Sequence, residues 1–419
     1  MNKSEDNKND INMTKASRRL MLGDRATAGT IIGTHTMTHL YSRGFYIMVP
    51  LIYQQLGLVP IQAGLMDAIR WTSSGLSGIF VGFIVDMYRH RRGLFLGLSM
   101  IMLSAGYFLV SLASTYWLII LALIFAHIGS AMWHPPGIGL ISELFPKRRG
   151  LFIALHRATG SLGDTAGPLL VGFLLVTLTW QQTLQAALPI SASLGIVLLV
   201  LLWNAGGPRI QTVGLKNNLQ NQMASVRKAA RGSGLLTLLA VSALRGMGDR
   251  ALILFIPLYL SQNLKMDTLG IGFHMGLLTL LGIASGPIVG AISDRVGRKP
   301  MITMALFISA IFPIMMVNSG SGIGLTISIA LFGLFLYSVN SLVQAAAMDL
   351  AEGMKLEGSF IGMLWGNNAL FGAISPIIGG AMAGIWGFQV VFYYAAAIFL
   401  IGGLLALRLP LRKVRQYSG

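Results

Sequence analysis

His35, His39 and Arg43 follow one another at intervals of four residues, which on an α-helix makes a single stripe. Arg245, Asp249 and Arg250 fall together in a later apolar stretch, and His156, Arg157 and Asp164 in another. His127 and His134 are spaced by two helical turns, and Asp67 precedes Arg70 by one. All of these groups lie inside long apolar runs. A charge at bilayer depth costs on the order of 2.5–3.5 kcal/mol, so such residues mark water-filled routes or pairs.

Some of the charge neutralises itself. Arg245 with Asp249, and Asp67 with Arg70, have pairing distance along one helix, and Arg157 is nearly aligned with Asp164. Pairing does not absorb everything: Arg43, Arg157, Arg245 and Arg250 face only Asp164 and Asp249, leaving two positive charges over. A hydrated interior with surplus guanidinium groups suits a carboxylate or phosphate, which the planar donor fork of arginine grips in two places. Arg43 and Arg250 are the first candidates for a small anionic solute, Arg157 the third, with His39 and Arg245 beside them. Proton exchange needs groups that can titrate, and His35, His39, His134, Asp164 and Asp249 are the candidates. His35 and His39 have metal-ligand spacing but neither carboxylate nor cysteine beside them, so neither metal nor cofactor is expected. His127 and His274 read equally well as hydrogen-bonded core histidines. His134, before Pro135 and Pro136, either serves the site or satisfies carbonyls freed by a broken helix. Tyr41, Tyr46, Trp71, Trp133 and Trp365 read as packing or interface aromatics.

The elements that carry these residues follow from composition. Of 419 residues, 54% are hydrophobic and 11% charged, against about 25% charged in an ordinary soluble protein. A soluble enzyme and a disordered chain are excluded, and with no cysteine so is a disulfide scaffold. Apolar runs of membrane-spanning length fall near 27–55, 62–85, 93–113, 116–142, 150–178 and 183–204, then 233–262, 269–291, 300–318, 322–350, 358–385 and 388–409. The reading is an all-α membrane protein of twelve transmembrane helices. Twenty-five of the 31 Lys and Arg residues fall in the two tails and in alternate connections, while the opposite loops hold only Lys265. That asymmetry places both termini in the cytoplasm. It also accounts for the net charge of +17 and pI of about 10.4 as topology, with anionic membrane lipid rather than nucleic acid as the partner. A charged tail before an overlong first run argues against a cleavable signal peptide.

A shift of 208 residues superposes the chain on itself. Gln54 falls on Gln262, Asp86 on Asp294, Gly150 on Gly358, Pro168 on Pro376 and Gln181 on Gln389. A six-helix unit duplicated in tandem explains this, with an N-terminal tail 1–26, bundles at 27–204 and 233–409, a linker 205–232 and a C-terminal tail 410–419. In the linker Leu215, Leu219, Met223 and Val226 stand at roughly helical spacing, so it is either a membrane-surface helix or a solvated basic loop.

Gly290-Ala-Ile-Ser-Asp294-Arg295-Val-Gly297-Arg298-Lys299 resembles the loop signature of the major facilitator superfamily, and Gly82, Asp86 and Arg89 stand in a degenerate first copy. The resemblance spans nearly the whole chain. It implies two six-helix bundles related by pseudo-two-fold symmetry, alternating access, and a gating role for Asp86, Arg89, Asp294, Arg295 and Arg298. Trp133-His134-Pro135-Pro136, Lys147-Arg148-Arg149-Gly150 and Gly163-Asp164-Thr165-Ala166-Gly167-Pro168 resemble the fosmidomycin-resistance-type branch, as do Thr38-His39-Leu40 and Ile52-Tyr53. Members of that branch often carry an acidic residue four positions after the first-span histidine, where this chain has Arg43. The resemblance implies proton-coupled export of a small organic anion or anionic drug from an inner-membrane monomer. Uptake or exchange of a carboxylate or phosphorylated metabolite is the alternative, and a non-transporting receptor or scaffold a further one. No span shows a nucleophile–base pair, a His-Glu-x-x-His run or a phosphate loop, so an enzyme is not expected.

Overall fold

The computed structural model describes residues 22–203, 205–206, 234–351 and 357–410. Most of both tails, nearly all of the linker and Lys355 fall outside these residues, as does the side chain of Asp86. Thirteen α-helices occur among the described residues, in the order α1 Asp24–Gln55, α2 Pro60–Met87, α3 Arg92–Leu112, α4 Tyr116–Ala131, α5 His134–Leu144, α6 Arg149–Leu174, α7 Trp180–Leu202, α8 Leu235–Gln262, α9 Thr268–Val296, α10 Arg298–Asn318, α11 Ile323–Ala351, α12 Glu357–Trp386 and α13 Gln389–Ala406. Eight helical stretches among the described residues are long and apolar enough to cross a membrane, α4 and α5 counting as one. Large apolar side chains such as Trp117, Ile323 and Ile385 are exposed along them. Lipid solvates such a surface, whereas water would penalise it. The duplication read from sequence recurs in the helices: α2 and α6 begin at Pro60 and Arg149, and α9 and α12 begin 208 residues later at Thr268 and Glu357.

Local chemistry sets the ends. Thr179 caps α7 with a reciprocal box, its hydroxyl accepting from Gln182 N while Gln182 Oε1 accepts from Thr179 N. Asp267 caps α9 through Gly270 N at 2.7 Å. Between α9 and α10 the chain turns at Gly297 with φ 106°, a conformation that a side chain resists. The glycine of the loop signature is therefore a steric requirement. The run expected as one element over 116–142 is broken between α4 and α5, where Pro135 and Pro136 supply no N–H to bond backward.

The chain packs as two compact units. Unit 1 comprises residues 1–41, 73–163 and 179–213, and unit 2 residues 42–72, 164–178 and 214–419. In unit 1, α3 packs along α7 and α4, over a core of Ile31, Leu96, Met100, Trp133, Leu140 and Leu198. In unit 2, α9 packs on α11, α10 on α13, and α8 on α12 and α13.

Candidate functional site

Among the described residues of unit 2, Arg43, Arg70 and Arg245 form ion pairs with buried carboxylates, and Arg250 forms none. Arg43 Nε lies 3.1 Å from Asp164 Oδ1, Arg70 Nη1 3.1 Å from Asp67 Oδ1, and Arg245 Nη1 2.5 Å from Asp249 Oδ2. The expected pairs Asp67–Arg70 and Arg245–Asp249 both form. Asp164, which the sequence aligned with Arg157, receives Arg43 from α1 instead. Arg157 is exposed on α6.

Arg250 makes no ion pair among the described residues. Its guanidinium carbon stands 3.2 Å from the centroid of the Trp71 ring, a face that attracts a cation without neutralising it. Trp71 is held in turn: its Nε1 donates to Tyr46 Oη at 3.2 Å, and Tyr46 Oη donates to Asp67 at 2.8 Å. Arg70 completes the support by donating to Ser42 O at 3.2 Å, with its guanidinium over the Phe45 ring. Aromatics that the sequence assigned to packing, Tyr46 and Trp71, thus position the unpaired charge. Their signal was adjacency: Trp71 follows Arg70 directly, and Tyr46 lies three residues after Arg43.

Buried donors in this region lack acceptors. Arg43 Nη1, Arg250 Nη1 and Tyr337 Oη are all without solvent contact and without a hydrogen-bond partner among the described residues. Tyr337, on α11, lies within electrostatic reach of Arg43, Asp164, Asp249 and Arg250. An orphaned buried donor costs its desolvation in full, and an acceptor is what each of these donors lacks. Arg245 commits its Nη1 to Asp249, and its Nε is a further buried donor without a partner among the described residues.

The proton-exchange candidates divide. Asp164 and Asp249 belong to the ion pairs above. His35, His39 and His134 meet in unit 1, joined by His156, which the sequence did not single out for that role. His35 Nδ1 donates to His156 O at 2.7 Å, and His35 Nε2 lies 3.2 Å from His39 Nε2. His134 is exposed, whereas His35 and His156 are buried. His127 stands apart beside Tyr107 Oη at 3.4 Å, and His274 bonds Gly270 O and Thr326; both are satisfied core histidines.

The loop signature is realised in unit 2. Arg298 reaches Asp294 Oδ1 at 2.5 Å and Asp349 Oδ2 on α11 at 3.1 Å, and also donates to Ser293 Oγ. Arg295 is exposed. In unit 1 the degenerate copy works through a different pair: Arg92 Nη1 meets Glu143 Oε2 at 2.7 Å, with Arg89 Nη1 at 3.8 Å from the same carboxylate. Arg92 and Glu143 each lie two residues beyond the positions, His90 and Ile141, onto which the repeat maps Arg298 and Asp349. That offset puts them outside the register of the 208-residue repeat.

A family model described as the Major Facilitator Superfamily matches residues 31–352 and 238–418. The chain is 23% identical over 396 residues to the fosmidomycin resistance protein of Escherichia coli (strain K12), covering 92% of this chain and 93% of that one. It is 30% identical over 137 residues to the multidrug resistance protein MdtH of Shigella dysenteriae serotype 1 (strain Sd197), about a third of each chain at 32% and 33%. Among solved structures, a bacterial homologue of the human lysosomal transporter Spinster, inward-facing and unoccupied, superposes with a TM-score of 0.78 at 14% identity, covering 92% of this chain and 96% of that one.

Proposed function

From the premise that this chain belongs to the Major Facilitator Superfamily of membrane transporters, we propose that it is a secondary, proton-coupled carrier that exports a small organic anion. The observation that carries this reading is the unpaired Arg250, stacked on Trp71, beside the acceptor-less Nη1 of Arg43 and hydroxyl of Tyr337. An arriving carboxylate or phosphate supplies acceptors for all three, and the planar fork of each arginine gives the contact direction.

Coupling is assigned to Asp164. In this structure it neutralises Arg43, so an anion that takes Arg43 displaces the carboxylate from its partner. A carboxylate deprived of its counter-charge in a desolvated setting gains affinity for a proton. Proton uptake by Asp164 and anion occupancy of Arg43 then favour one another, while release of the proton restores the pair and expels the anion. Alternating access follows from two six-helix halves rocking about a midplane site. Arg298 with Asp294 and Asp349, and Arg92 with Glu143, act as latches that hold one conformation. Export rather than uptake is supported by the names of relatives as resistance proteins. The asymmetry of Lys and Arg supports an inner-membrane protein with cytoplasmic termini, bordered by anionic lipid.

A thermal-shift screen of purified protein against organic anions and cations of matched size tests the substrate's sign. Stabilisation by a subset of anions, followed by accumulation of that anion in everted vesicles under an imposed pH gradient, is the expected outcome. Stabilisation by cations alone overturns the reading.

A further inference from the structure

The histidine cluster of unit 1 is not used by the anion site. Spacing along the sequence argued against a metal because His35 and His39 had no third ligand beside them. The fold supplies two: His134 from the start of α5 and His156 from α6. One ligand nitrogen each from His35, His134 and His156 lies within 4.8 Å of the others, and the His39 ring stands edge-on to His35 with centroids 4.7 Å apart.

Two features point to an ion beyond proximity. His35 donates Nδ1–H to the carbonyl oxygen of His156, which fixes the tautomer and turns Nε2 into a lone-pair donor. This is how a metal-bound imidazole is usually oriented by its surroundings. His156 is 1% exposed, and neither of its ring nitrogens has a hydrogen-bond partner among the described residues. Burying an imidazole so is unfavourable unless something occupies its lone pair. The separation of 3.2 Å between the Nε2 atoms of His35 and His39 is close to the edge of about 3.3 Å that bonds of 2.0–2.1 Å make in a tetrahedral site. Gly160 makes room for the pair, since a Cβ there would lie 2.8 Å from the ring carbon Cε1 of His35 and 2.9 Å from His39 Nε2.

We propose that His35, His134 and His156, with His39 at the fourth position, bind a borderline divalent transition-metal ion that ties α1, α5 and α6 together. Neutral imidazoles without a carboxylate select Zn²⁺, Ni²⁺, Co²⁺ or Cu²⁺ over Mg²⁺ and Ca²⁺. The His156 ring lies flat against His35, with centroids 3.7 Å apart. Since an ion sits in the plane of each imidazole it binds, ligation turns His156 off that stack and His39 to its Nδ1–H tautomer. His134, being exposed, is the route by which the ion enters.

The test is titration of the full-length, tag-free, detergent-purified protein with Co²⁺ and, separately, with Zn²⁺. The expected result is one equivalent of Co²⁺ giving the intense visible absorption of a four-coordinate site, displaced by Zn²⁺, with a rise in Tm. Affinity should fall by about tenfold or more in His35→Gln, His156→Gln and His134→Gln and stay unchanged in His274→Gln. His134→Gln alters an exposed position, so its fold is expected to survive, and its metal-free Tm verifies that. Binding that persists in all three ligand variants, or the pale spectrum of a six-coordinate ion, overturns the proposal. So does the absence of any Tm shift in the wild-type protein.

Discussion

Arg43 gives its inner nitrogen Nε to Asp164 at 3.1 Å and keeps Nη1 buried without an acceptor. The same guanidinium thus carries both the internal counter-ion and an unfilled donor. If the anion competes with Asp164 for Arg43, removing the carboxylate's charge separates binding from coupling. Asp164→Asn is expected to retain anion-dependent stabilisation and exchange of labelled for unlabelled anion in proteoliposomes. Accumulation driven by a pH gradient should be lost, because nothing then ties the anion to the proton. Loss of exchange together with accumulation, in a variant of unchanged Tm, would place Asp164 in the anion's own site instead.

Arg250 offers a charge on an aromatic platform rather than in an ion pair. Arg250→Gln removes a charged donor and should weaken the apparent affinity for the anion about 10–100-fold, with little change in the Tm of the unliganded protein. Arg250→Lys keeps the charge but loses the fork and much of the stack on Trp71, so it should recover only part of the affinity. Trp71→Leu tests the platform in the same titration, with a smaller loss expected. Unchanged ligand shifts in both Arg250 variants would remove this residue from the site.

How far the sequence foretold this arrangement depends on whether a partner was local. Asp67–Arg70 and Arg245–Asp249 were legible because helical spacing alone brings their side chains together. Arg43–Asp164 was not, since 121 residues separate the two and only packing of α1 on α6 makes them neighbours. The unpaired state of Arg250 was visible as surplus charge, yet its partner Trp71 looked like any membrane aromatic. The helix order and the duplication were written in hydropathy and in a constant offset. The Arg92–Glu143 ion pair of unit 1 was lost to that same offset, because both residues are displaced by two from the repeat. His156 was visible in its apolar run, but its company was not, because 121 residues separate it from His35.

Arg245 and Asp249 are both buried, so removal of one partner leaves a charge in a desolvated place. Arg245→Gln and Asp249→Asn should each destabilise the protein by about 3–5 kcal/mol, read as a large fall in Tm in detergent. Combining the two substitutions removes both charges and should recover most of the loss. Asn368 beside them gives the neutral amides a hydrogen-bonding neighbour. A double variant no more stable than the worse single variant would show that the pair's geometry, rather than its charge balance, matters.

The absence of cysteine provides a clean background for testing the proposed latch. Arg298 holds Asp294 on α9 and Asp349 on α11 at once. A lone exposed ion pair contributes little, but here one guanidinium fastens two helices, and its loss frees both. Ala346 is fully buried on α11, one helical turn before Asp349. In an Ala346→Cys background, Arg298→Gln is expected to raise the rate of maleimide labelling several-fold, and Asp349→Asn to do the same. Arg295→Gln, at an exposed position, should raise it less. Equal acceleration by the Arg295 and Arg298 variants would mean that the loop's total charge, not the contact made by Arg298, holds the helices closed.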